Sequence, residues 1–269
     1  MRLVKRPRAR GRNSVAAGGC ARKSRSVALV VWDEEIAAVY DETYEAKFAP
    51  EVVDPMVELL DHLADGGAVL EFAVGTGRVA LPLSARGVMV QGIELSPAMA
   101  ARLNAKPGSE RVRVTVGDMC TTRVGDEFSV VYIVANSLMN VTTQHEQLSV
   151  FTNAARHLRT GGSFVVELIV PQLQKVPPGE TARVFTLEPD HVGIETFDDL
   201  VGQIAWSHHW MHVQDRFVRH SAPYRYLWPG ELDLMGALAG LRLRDRWADW
   251  HRAPFRSDSQ AQVAVFEKS

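Results

Sequence analysis

The chain has 269 residues, 46% apolar and 23% charged, and these proportions exclude a collagen-like, coiled-coil or wholly disordered protein. No apolar run approaches the roughly 18–20 residues that span a bilayer, so we expect a soluble protein that does not bind a membrane. The two cysteines, Cys20 and Cys120, are too few for a disulfide framework and form no CxxC pair. Their scarcity favours a reducing, cytoplasmic setting.

The charge is distributed unevenly along the chain. Residues 1–32 hold nine lysines and arginines and no acid, which leaves the remainder with 21 basic and 32 acidic residues, near −11. We interpret residues 1–31 as a disordered basic extension and expect the folded body to begin near Trp32. Because an acidic body repels a phosphate backbone, we do not expect nucleic acid to be its partner.

Alternating helices and strands follow this extension. Residues 52–63 carry apolar side chains at helical spacing. Further helices are predicted after Gly77, after the Ser96-Pro97 cap, and over residues 144–158, with Gly161-Gly162 as the stop signal. Apolar stretches without alternation predict five buried strands, at residues 68–73, 88–93, 112–116, 128–135 and 163–170. This order predicts an α/β fold with a Rossmann-like, doubly wound, mostly parallel sheet.

The pattern changes after Pro171. Short strands are predicted at residues 183–187, 202–212 and 217–226, and we expect them to form a small antiparallel cover, inserted at about residues 181–228 of one domain spanning 32–269. Two sets of side chains alternate along the second strand: Trp206, His208, Trp210 and His212 on one face, and Ser207, His209, Met211 and Val213 on the other. A helix from Pro229 to Leu238, ended by Gly240, and strands at 241–247 and 261–266 complete the predicted fold.

A glycine-containing loop follows the first predicted strand. Glu71, Ala73, Gly75 and Gly77 lie where this strand ends and a helix begins, and glycine lets a backbone turn sharply and approach a ligand closely. Gly75, Gly77 and Ala80 also satisfy the pattern G-x-G-x-x-A, so a nicotinamide dinucleotide is one possible ligand.

An acid follows each of the next two strands. A carboxylate at Glu94 can accept both hydroxyls of an adenosine ribose, and one at Asp118 can accept from an adenine amino group. Ligands of open α/β sheets bind beyond the carboxyl ends of the strands. We therefore expect Glu71, Glu94 and Asp118 to surround one adenosyl group, which nicotinamide cofactors and S-adenosylmethionine both contain.

The ordered set resembles the class I S-adenosylmethionine-dependent methyltransferases. Their first motif, acid-x-Gly-x-Gly-x-Gly, is matched by Glu71, Gly75 and Gly77, while Ala73 replaces the first glycine. The region from residue 131 to the Gly161-Gly162 pair is similar to the fourth-strand and fifth-helix region of bacterial small-molecule methyltransferases. The segment Tyr40-Asp41-x-x-Tyr44 resembles the helix that covers the cofactor in amino-sugar and natural-product N-methyltransferases.

This resemblance implies S-adenosylmethionine as the cofactor and assigns residues to it. By position, Glu71 would reach the methionyl amino group, Glu94 would bind the ribose, and Asp118 would hold the adenine edge. The implied cofactor-binding set is Tyr40, Glu71, Ala73, Gly75, Gly77, Glu94, Leu95, Met99, Asp118, Met119 and Asn136.

On the acceptor side the sequence offers candidates but assigns no catalytic residue. Asn136, Ser137 and Asn140 follow the fourth strand, where the transferred methyl should lie, although capping and turn bonding explain them equally well. Glu167 interrupts an apolar strand, so we expect its carboxylate to face a pocket. His208 or His209 is a candidate general base, with an ordinary strand position as the simpler explanation. No metal is expected, because the nine histidines show no H-x-x-x-H spacing.

The sequence thus predicts a methyltransferase that moves a methyl group from S-adenosylmethionine to a nitrogen or oxygen of a small molecule, such as an amino sugar or another natural product. One alternative is a non-catalytic S-adenosylmethionine-binding or regulatory protein of the same fold, in which Ala73 is the defect. An NAD(P)-dependent dehydrogenase is less favoured, because about forty folded residues precede the glycine loop. The oligomeric state is left open.

Overall fold

The computed structural model describes residues 32–125, 127–213 and 215–269. The predicted basic extension, residues 1–31, lies outside the described residues. Two helices precede the first strand, as predicted: α1 (Glu34–Thr43) and α2 (Pro50–Ala64). Asp33 begins α1, because its Oδ1 accepts hydrogen bonds from the N–H groups of Glu35 and Ile36, both at 3.0 Å.

Strands and helices then alternate through the first half of the chain. The strands are β1 (Val69–Phe72), β2 (Val90–Glu94), β3 (Val112–Val116), β4 (Phe128–Ile133) and β5 (Leu158–Ile169). The helices between them are α3 (Ala80–Ala85), α4 (Pro97–Asn104) and α5 (Gln144–His157). The second half adds β6 (Ala182–Glu188), β7 (His191–Asp199), β8 (Ile204–Val213), β9 (Arg216–Arg225), α6 (Pro229–Leu238), β10 (Leu241–Trp247) and β11 (Ala261–Lys268).

Seven strands form the central sheet, in the order β10-β11-β5-β4-β1-β2-β3. Strands β1 to β5 are parallel, and β11 runs antiparallel to β5. The predicted doubly wound, mostly parallel sheet is therefore confirmed. The chain passes from one side of β1 to the other when it enters β4, and this switch point opens a crevice beyond the carboxyl ends of the strands.

Local sequence signals correctly predict several features of these helices and strands. All six residues of β4 are buried, as its unbroken apolar run predicts. Ser96 caps α4, because its Oγ accepts the N–H of Met99 at 3.2 Å. Gly240 follows α6 with a positive φ of 77°, the conformation that commonly ends helices at glycine.

Two predictions of secondary structure are wrong. The helix predicted over residues 144–158 is found at Gln144–His157, but Gly161-Gly162 is not its stop signal, because β5 starts directly after it with Leu158. The glycine pair lies inside β5, where its pairing with β4 shifts register, and Gly161 takes up this irregularity with a φ of 74°. Strand β7 is absent from the prediction, because Gly193 interrupts its pattern. A side chain there would collide with the Phe185 ring, 2.4 Å from an added Cβ.

A second, antiparallel sheet has the order β6-β7-β8-β9. Its inner face packs on the body: Phe197 and Ala205 belong to the main core, and Met211 packs with Val39 of α1. The predicted alternation along β8 is confirmed, since Ala205 and Met211 are buried and Trp206 points the other way. No helix among the described residues is long and apolar enough to cross a membrane.

Candidate functional site

A pocket lies beyond the carboxyl ends of β1 to β4. The empty space inside the pocket is about 910 Å³ when the solvent at its open mouth is included. Eight of the eleven predicted cofactor-binding residues line it: Tyr40, Ala73, Gly75, Glu94, Leu95, Met99, Asp118 and Met119. The structure thus brings most of the set together, and Glu71, Gly77 and Asn136 lie outside this lining.

Backbone hydrogen bonds hold the Glu94 carboxylate in the pocket wall. Its Oε2 accepts the N–H of Gly75 and its Oε1 accepts the N–H of Ser96, both at 2.8 Å. Burial raises the pKa of this carboxyl, while the hydrogen bonds from Ser96, Gly75 and Leu95 lower it. The carboxylate oxygens are thereby fixed in the pocket wall, where they can accept a hydrogen bond from a ligand.

Asp118 occupies the next strand end. Its Oδ1 accepts the N–H of Cys120 at 2.8 Å, which is an Asx turn that fixes the side chain. The preceding Gly117 donates its N–H to the carbonyl of Glu94 at 2.8 Å, so the two acidic positions are joined through the backbone. Glu94 and Asp118 therefore face one shared pocket, as the sequence predicts.

The loop between β1 and α3 turns through left-handed backbone conformations. Ala73 has a φ of 56°, Gly75 of 57° and Gly77 of 85°. This conformation costs an L-residue roughly 1–2 kcal/mol and costs glycine almost nothing. Ala73, at the position where the motif has glycine, therefore keeps the glycine-like geometry at the expense of stability.

Glu71 lies behind the loop rather than on the pocket surface. It is 2% exposed, and its Oε2 accepts the hydroxyl of Tyr132 at 2.7 Å. Burial raises its pKa from 4.5 to about 8, against the lowering effects of the Tyr132 hydrogen bond and the Arg78 charge. Glu71 is therefore largely protonated at neutral pH.

Gly77 and Asn136 serve the packing around the site. A side chain at Gly77 would meet Leu103 at 2.9 Å and Leu81 at 3.0 Å, so this glycine allows α3 and α4 to approach. Asn136 has a φ of 61°, and its Oδ1 accepts the N–H of Ile169 at 2.7 Å. Both residues shape the loops that border the pocket.

Helix α1 closes one side of the pocket. Asp41 accepts a hydrogen bond from Thr76 in the glycine loop and forms an ion pair with Lys106, which fixes α1 over the site. Tyr40 lines the pocket, and burial raises its pKa to about 12. The phenol is therefore neutral at physiological pH and available for hydrogen bonding.

Two further residues near the site were missed by the sequence reasoning. Trp32 lines the pocket and packs edge-on against Tyr40, with ring centroids 5.6 Å apart. The sequence analysis used Trp32 only to locate the beginning of the folded body. The Arg78 guanidinium lies close enough to lower the pKa values of both Tyr40 and Glu71. The sequence feature that could have identified Arg78 is its position directly after Gly77 of the glycine loop.

The acceptor-side candidates divide into two groups. Ser137 and Asn140 line the pocket. Glu167 instead braces the loop after β4: its Oε2 accepts the N–H of Ala135 at 2.7 Å, and its Oε1 accepts the indole N–H of Trp250 at 2.9 Å. Ala135 has a φ of 55°, so Glu167 stabilises a strained turn that leads into Ser137.

His208 and His209 point to opposite faces of β8. His209 lies on the inner face, where its Nδ1 is 2.9 Å from Nε2 of His191, and burial lowers its pKa to about 4. His208 lies on the outer face, with its Nδ1 2.9 Å from the hydroxyl of Ser221. Among the described residues no group of three or more His, Cys, Asp or Glu is placed to hold a metal ion.

Comparison with known proteins agrees with this geometry. A family model described as a methyltransferase domain matches residues 69–162. The chain is 23% identical to the cypemycin N-terminal methyltransferase of a Streptomyces species, over 76% of this chain and 84% of that protein. It is 29% identical to a dTDP-4-amino-2,3,4,6-tetradeoxy-D-glucose N,N-dimethyltransferase of Saccharopolyspora spinosa, over 51% of this chain and 55% of that protein.

Similarity to a solved structure extends over nearly the whole chain. The CcbJ methyltransferase of Streptomyces caelestis is 33% identical, with a TM-score of 0.78, over 89% of this chain and 98% of that one. Together with the sheet order and the pocket, this likeness settles the family. The chain belongs to the class I methyltransferases, enzymes that use S-adenosylmethionine as their cofactor.

Proposed function

We propose that this enzyme methylates an amine nitrogen of a small natural product or amino sugar. In this proposal the pocket beyond β1 to β4 holds the cofactor, and the acceptor enters between the loop after β4 and the antiparallel sheet. We also propose that residues 32–269 act as one methyltransferase domain. The observation that carries the proposal is the placement of Glu94 and Asp118 on one pocket wall beside the glycine loop.

The residues of the pocket fit an S-adenosyl group chemically. Glu94 offers a fixed carboxylate acceptor for the ribose hydroxyls, and Asp118 offers an acceptor for the adenine amino group. Leu95, Met99 and Met119 provide apolar walls for the adenine ring. Arg78 supplies positive charge near the loop, suited to the methionyl carboxylate.

The methionyl amino group presents a different requirement. Glu71 is largely protonated without a ligand, because burial raises its pKa to about 8. An ammonium group near the glycine loop would favour the charged carboxylate. We therefore propose that Glu71 acts on the amino group through the loop or a water molecule, with loss of its proton on binding.

The chemistry depends on the positions of the protein groups. When bound, the cofactor supplies an electrophilic methyl group on a sulfonium, and transfer is an in-line displacement favoured by proximity and alignment. In our proposal Tyr40 and Trp32 close the site from one side and exclude water. Ser137 and Asn140 orient the acceptor, and the Glu167 brace holds their loop in place.

The ionisation of nearby groups favours an amine over an alcohol. An alcohol acceptor usually benefits from a general base whose pKa lies near the working pH. Tyr40 in the pocket lining has a pKa of about 12, and His209 on the inner face of the antiparallel sheet has one of about 4, so neither side chain is suited to that role near neutral pH. An amine reacts in its neutral form without such a base, and its leaving proton is lost to solvent.

The names of two relatives point to the same acceptor atom. One is an N-terminal methyltransferase of cypemycin, and the other an N,N-dimethyltransferase of a dTDP-linked amino sugar. Both names describe transfer to nitrogen on a natural product or sugar, which supports the proposal without fixing the substrate.

The proposal is tested with paired acceptors. Amino sugars and small amines, each matched with its hydroxyl analogue, are incubated with the enzyme and methyl-labelled S-adenosylmethionine, and products are measured by mass spectrometry. We expect the label on nitrogen, at a rate that rises with pH until the free amine predominates. Label on the hydroxyl analogues, with none on the amines, would contradict the choice of acceptor while leaving the cofactor site intact.

A further inference from the structure

A buried arginine joins the antiparallel sheet to two helices of the main body. Arg225, the last residue of β9, is 4% exposed. Its Nη2 donates to the Glu231 carboxylate of α6 at 2.7 Å and to Oε1 of Gln203 at 2.9 Å. Its Nη1 donates to Oε1 of Gln147 in α5 at 2.7 Å. One guanidinium therefore holds the sheet, α5 and α6 together.

Gln147 extends this connection to the loop between β4 and α5, residues 134–143, which we call the acceptor loop. The glutamine side chain is fully buried. Its Nε2 donates to the carbonyl of Leu138 in the acceptor loop and to the carbonyl of Arg225, both at 3.3 Å. Because its Oε1 accepts from the Arg225 guanidinium, the Gln147 amide links Arg225 directly to the acceptor loop.

The acceptor loop has a backbone conformation that depends on outside support. Ala135 and Asn136 follow each other with φ values of 55° and 61°, a conformation that non-glycine residues keep only where surrounding contacts hold it. Hydrogen bonds with β5 hold these two residues. Ser137 and Asn140 line the pocket farther along the loop, and Leu138 lies between them. The Gln147 bond therefore supports the part of the loop that lines the pocket.

The charge of Arg225 has a fixed partner. Partial burial raises the pKa of Glu231, but hydrogen bonds from Arg225, Gln203 and Gln144 outweigh this effect and bring the pKa below its usual range. Glu231 is therefore a carboxylate at neutral pH, and its bond with Arg225 is charge-assisted. Because the guanidinium is a planar fork, this bond also fixes the direction of the N–H group that meets Gln147. The position of the acceptor loop thus depends on Arg225.

We propose that Arg225 is a positioning residue for methyl transfer, which holds the acceptor loop in place through Gln147 and the Leu138 carbonyl. This role rests on the proposed function, in which Ser137 and Asn140 orient the acceptor. Arg225 acts through the loop and does not itself touch the acceptor. Because the guanidinium belongs to the antiparallel sheet, the sheet and the acceptor loop bound the acceptor as one unit.

Hydrogen exchange followed by mass spectrometry tests the connection without any acceptor. The N–H groups of Met139 and Val141 bond to carbonyls within the acceptor loop, so their exchange rates report how often the loop opens. In Arg225→Met these amides should exchange about three- to tenfold faster than in the wild type, the factor expected for one lost hydrogen bond. Gln147→Glu keeps an oxygen for Arg225, but its carboxylate cannot donate to Leu138, so the same acceleration is expected.

Arg246→Met is the matched control for Arg225→Met. Arg246 is also a largely buried arginine of a strand, and it forms an ion pair with Asp233 of the same helix, α6. Its guanidinium also donates to the Pro229 carbonyl at the start of that helix. The control should lower the free energy of unfolding in urea, as Arg225→Met does, and should leave exchange in the acceptor loop at the wild-type rate.

Kinetics separate positioning from a general loss of folded enzyme. With whichever of the paired acceptors takes the label, Arg225→Met and Gln147→Glu should raise the acceptor KM about three- to tenfold. Titration with S-adenosylhomocysteine should show wild-type affinity and stoichiometry. A merely structural role would lower kcat and the binding stoichiometry together and leave the acceptor KM unchanged.

Three results would overturn the proposal. They are wild-type loop exchange in both Arg225→Met and Gln147→Glu, equal acceleration in Arg246→Met, and faster exchange with an unchanged acceptor KM. Failure of the proposed function gives a different result, because an enzyme that labels only hydroxyl analogues contradicts the amine acceptor. The exchange rates need no acceptor, and the KM comparison is then made with those analogues.

Discussion

Replacing Glu71 with glutamine should change how the stability of the protein depends on pH. The carboxyl is 2% exposed, and burial raises its pKa in the folded protein to about 8, against an ordinary 4.5. Between these values the folded chain keeps a proton that the unfolded chain has released. The stability contributed by this proton is complete below pH 4.5 and is lost as the pH rises toward 8.

The magnitude follows from proton linkage. One extra proton bound by the folded state lowers the free energy of unfolding by about 1.4 kcal/mol for each pH unit within the window. From pH 6 to pH 8 the wild type should therefore lose about 2–3 kcal/mol through Glu71. Glu71→Gln does not titrate, so the variant should gain this amount relative to the wild type over the same interval.

Urea denaturation at half-unit steps from pH 5.5 to pH 8.5 measures this difference. Glu58→Gln removes an exposed carboxylate from α2 and serves as the control, with the wild-type pH profile expected. Tyr132→Phe removes the hydrogen bond that lowers the pKa of Glu71, so it should move the transition to higher pH. Parallel curves for the wild type and Glu71→Gln would refute the reasoning.

Two further substitutions test the loops that border the pocket. Ala73→Gly removes the strain of an alanine at a φ of 56° and should raise the free energy of unfolding by about 1 kcal/mol. The control Ala101→Gly, at an exposed site in α4, should lower it by about 1 kcal/mol. If denaturation shows that both variants lose the same free energy of unfolding, Ala73 is not strained. Glu167→Gln leaves an N–H of Ala135 or Trp250 without its hydrogen-bond partner, at a cost of about 1–3 kcal/mol. The variant should therefore lower kcat/KM for the methyl-accepting substrate by about tenfold or more. Calorimetry should show unchanged cofactor affinity in this variant, and a loss of cofactor affinity alone would argue against the positioning role.

The sequence was sufficient for the parallel sheet and for most of the pocket lining. Buried parallel strands are continuous apolar runs, which made β1 to β5 recognisable. Because parallel strands end at one edge of a sheet, the acids following β2 and β3 had to be neighbours. The pairing of Glu94 with Asp118 across a shared pocket therefore followed from chain order.

Features that depend on packing in three dimensions were not predictable. The sequence placed Glu71 beside the ligand, but nothing local indicates that the Tyr132 hydroxyl, 61 residues away, holds it behind the loop. Glu167 was expected to face a pocket, and its partners, Ala135 and Trp250, come from separate parts of the chain. Strand β7 was missed because Gly193 breaks its pattern, and the reason for that glycine is the Phe185 ring on the adjacent strand.

The central claim is that one adenosyl group binds between Glu94 and Asp118, and isothermal titration of the demethylated cofactor tests it most directly. We expect the wild type to bind S-adenosylhomocysteine and Glu94→Gln to bind it more weakly by on the order of 1–3 kcal/mol, through loss of charge-assisted hydrogen bonds to the ribose. Glu58→Gln should retain the wild-type affinity. A folded Glu94→Gln variant with undiminished affinity would contradict the claim, as would a wild type that binds a nicotinamide dinucleotide in its place.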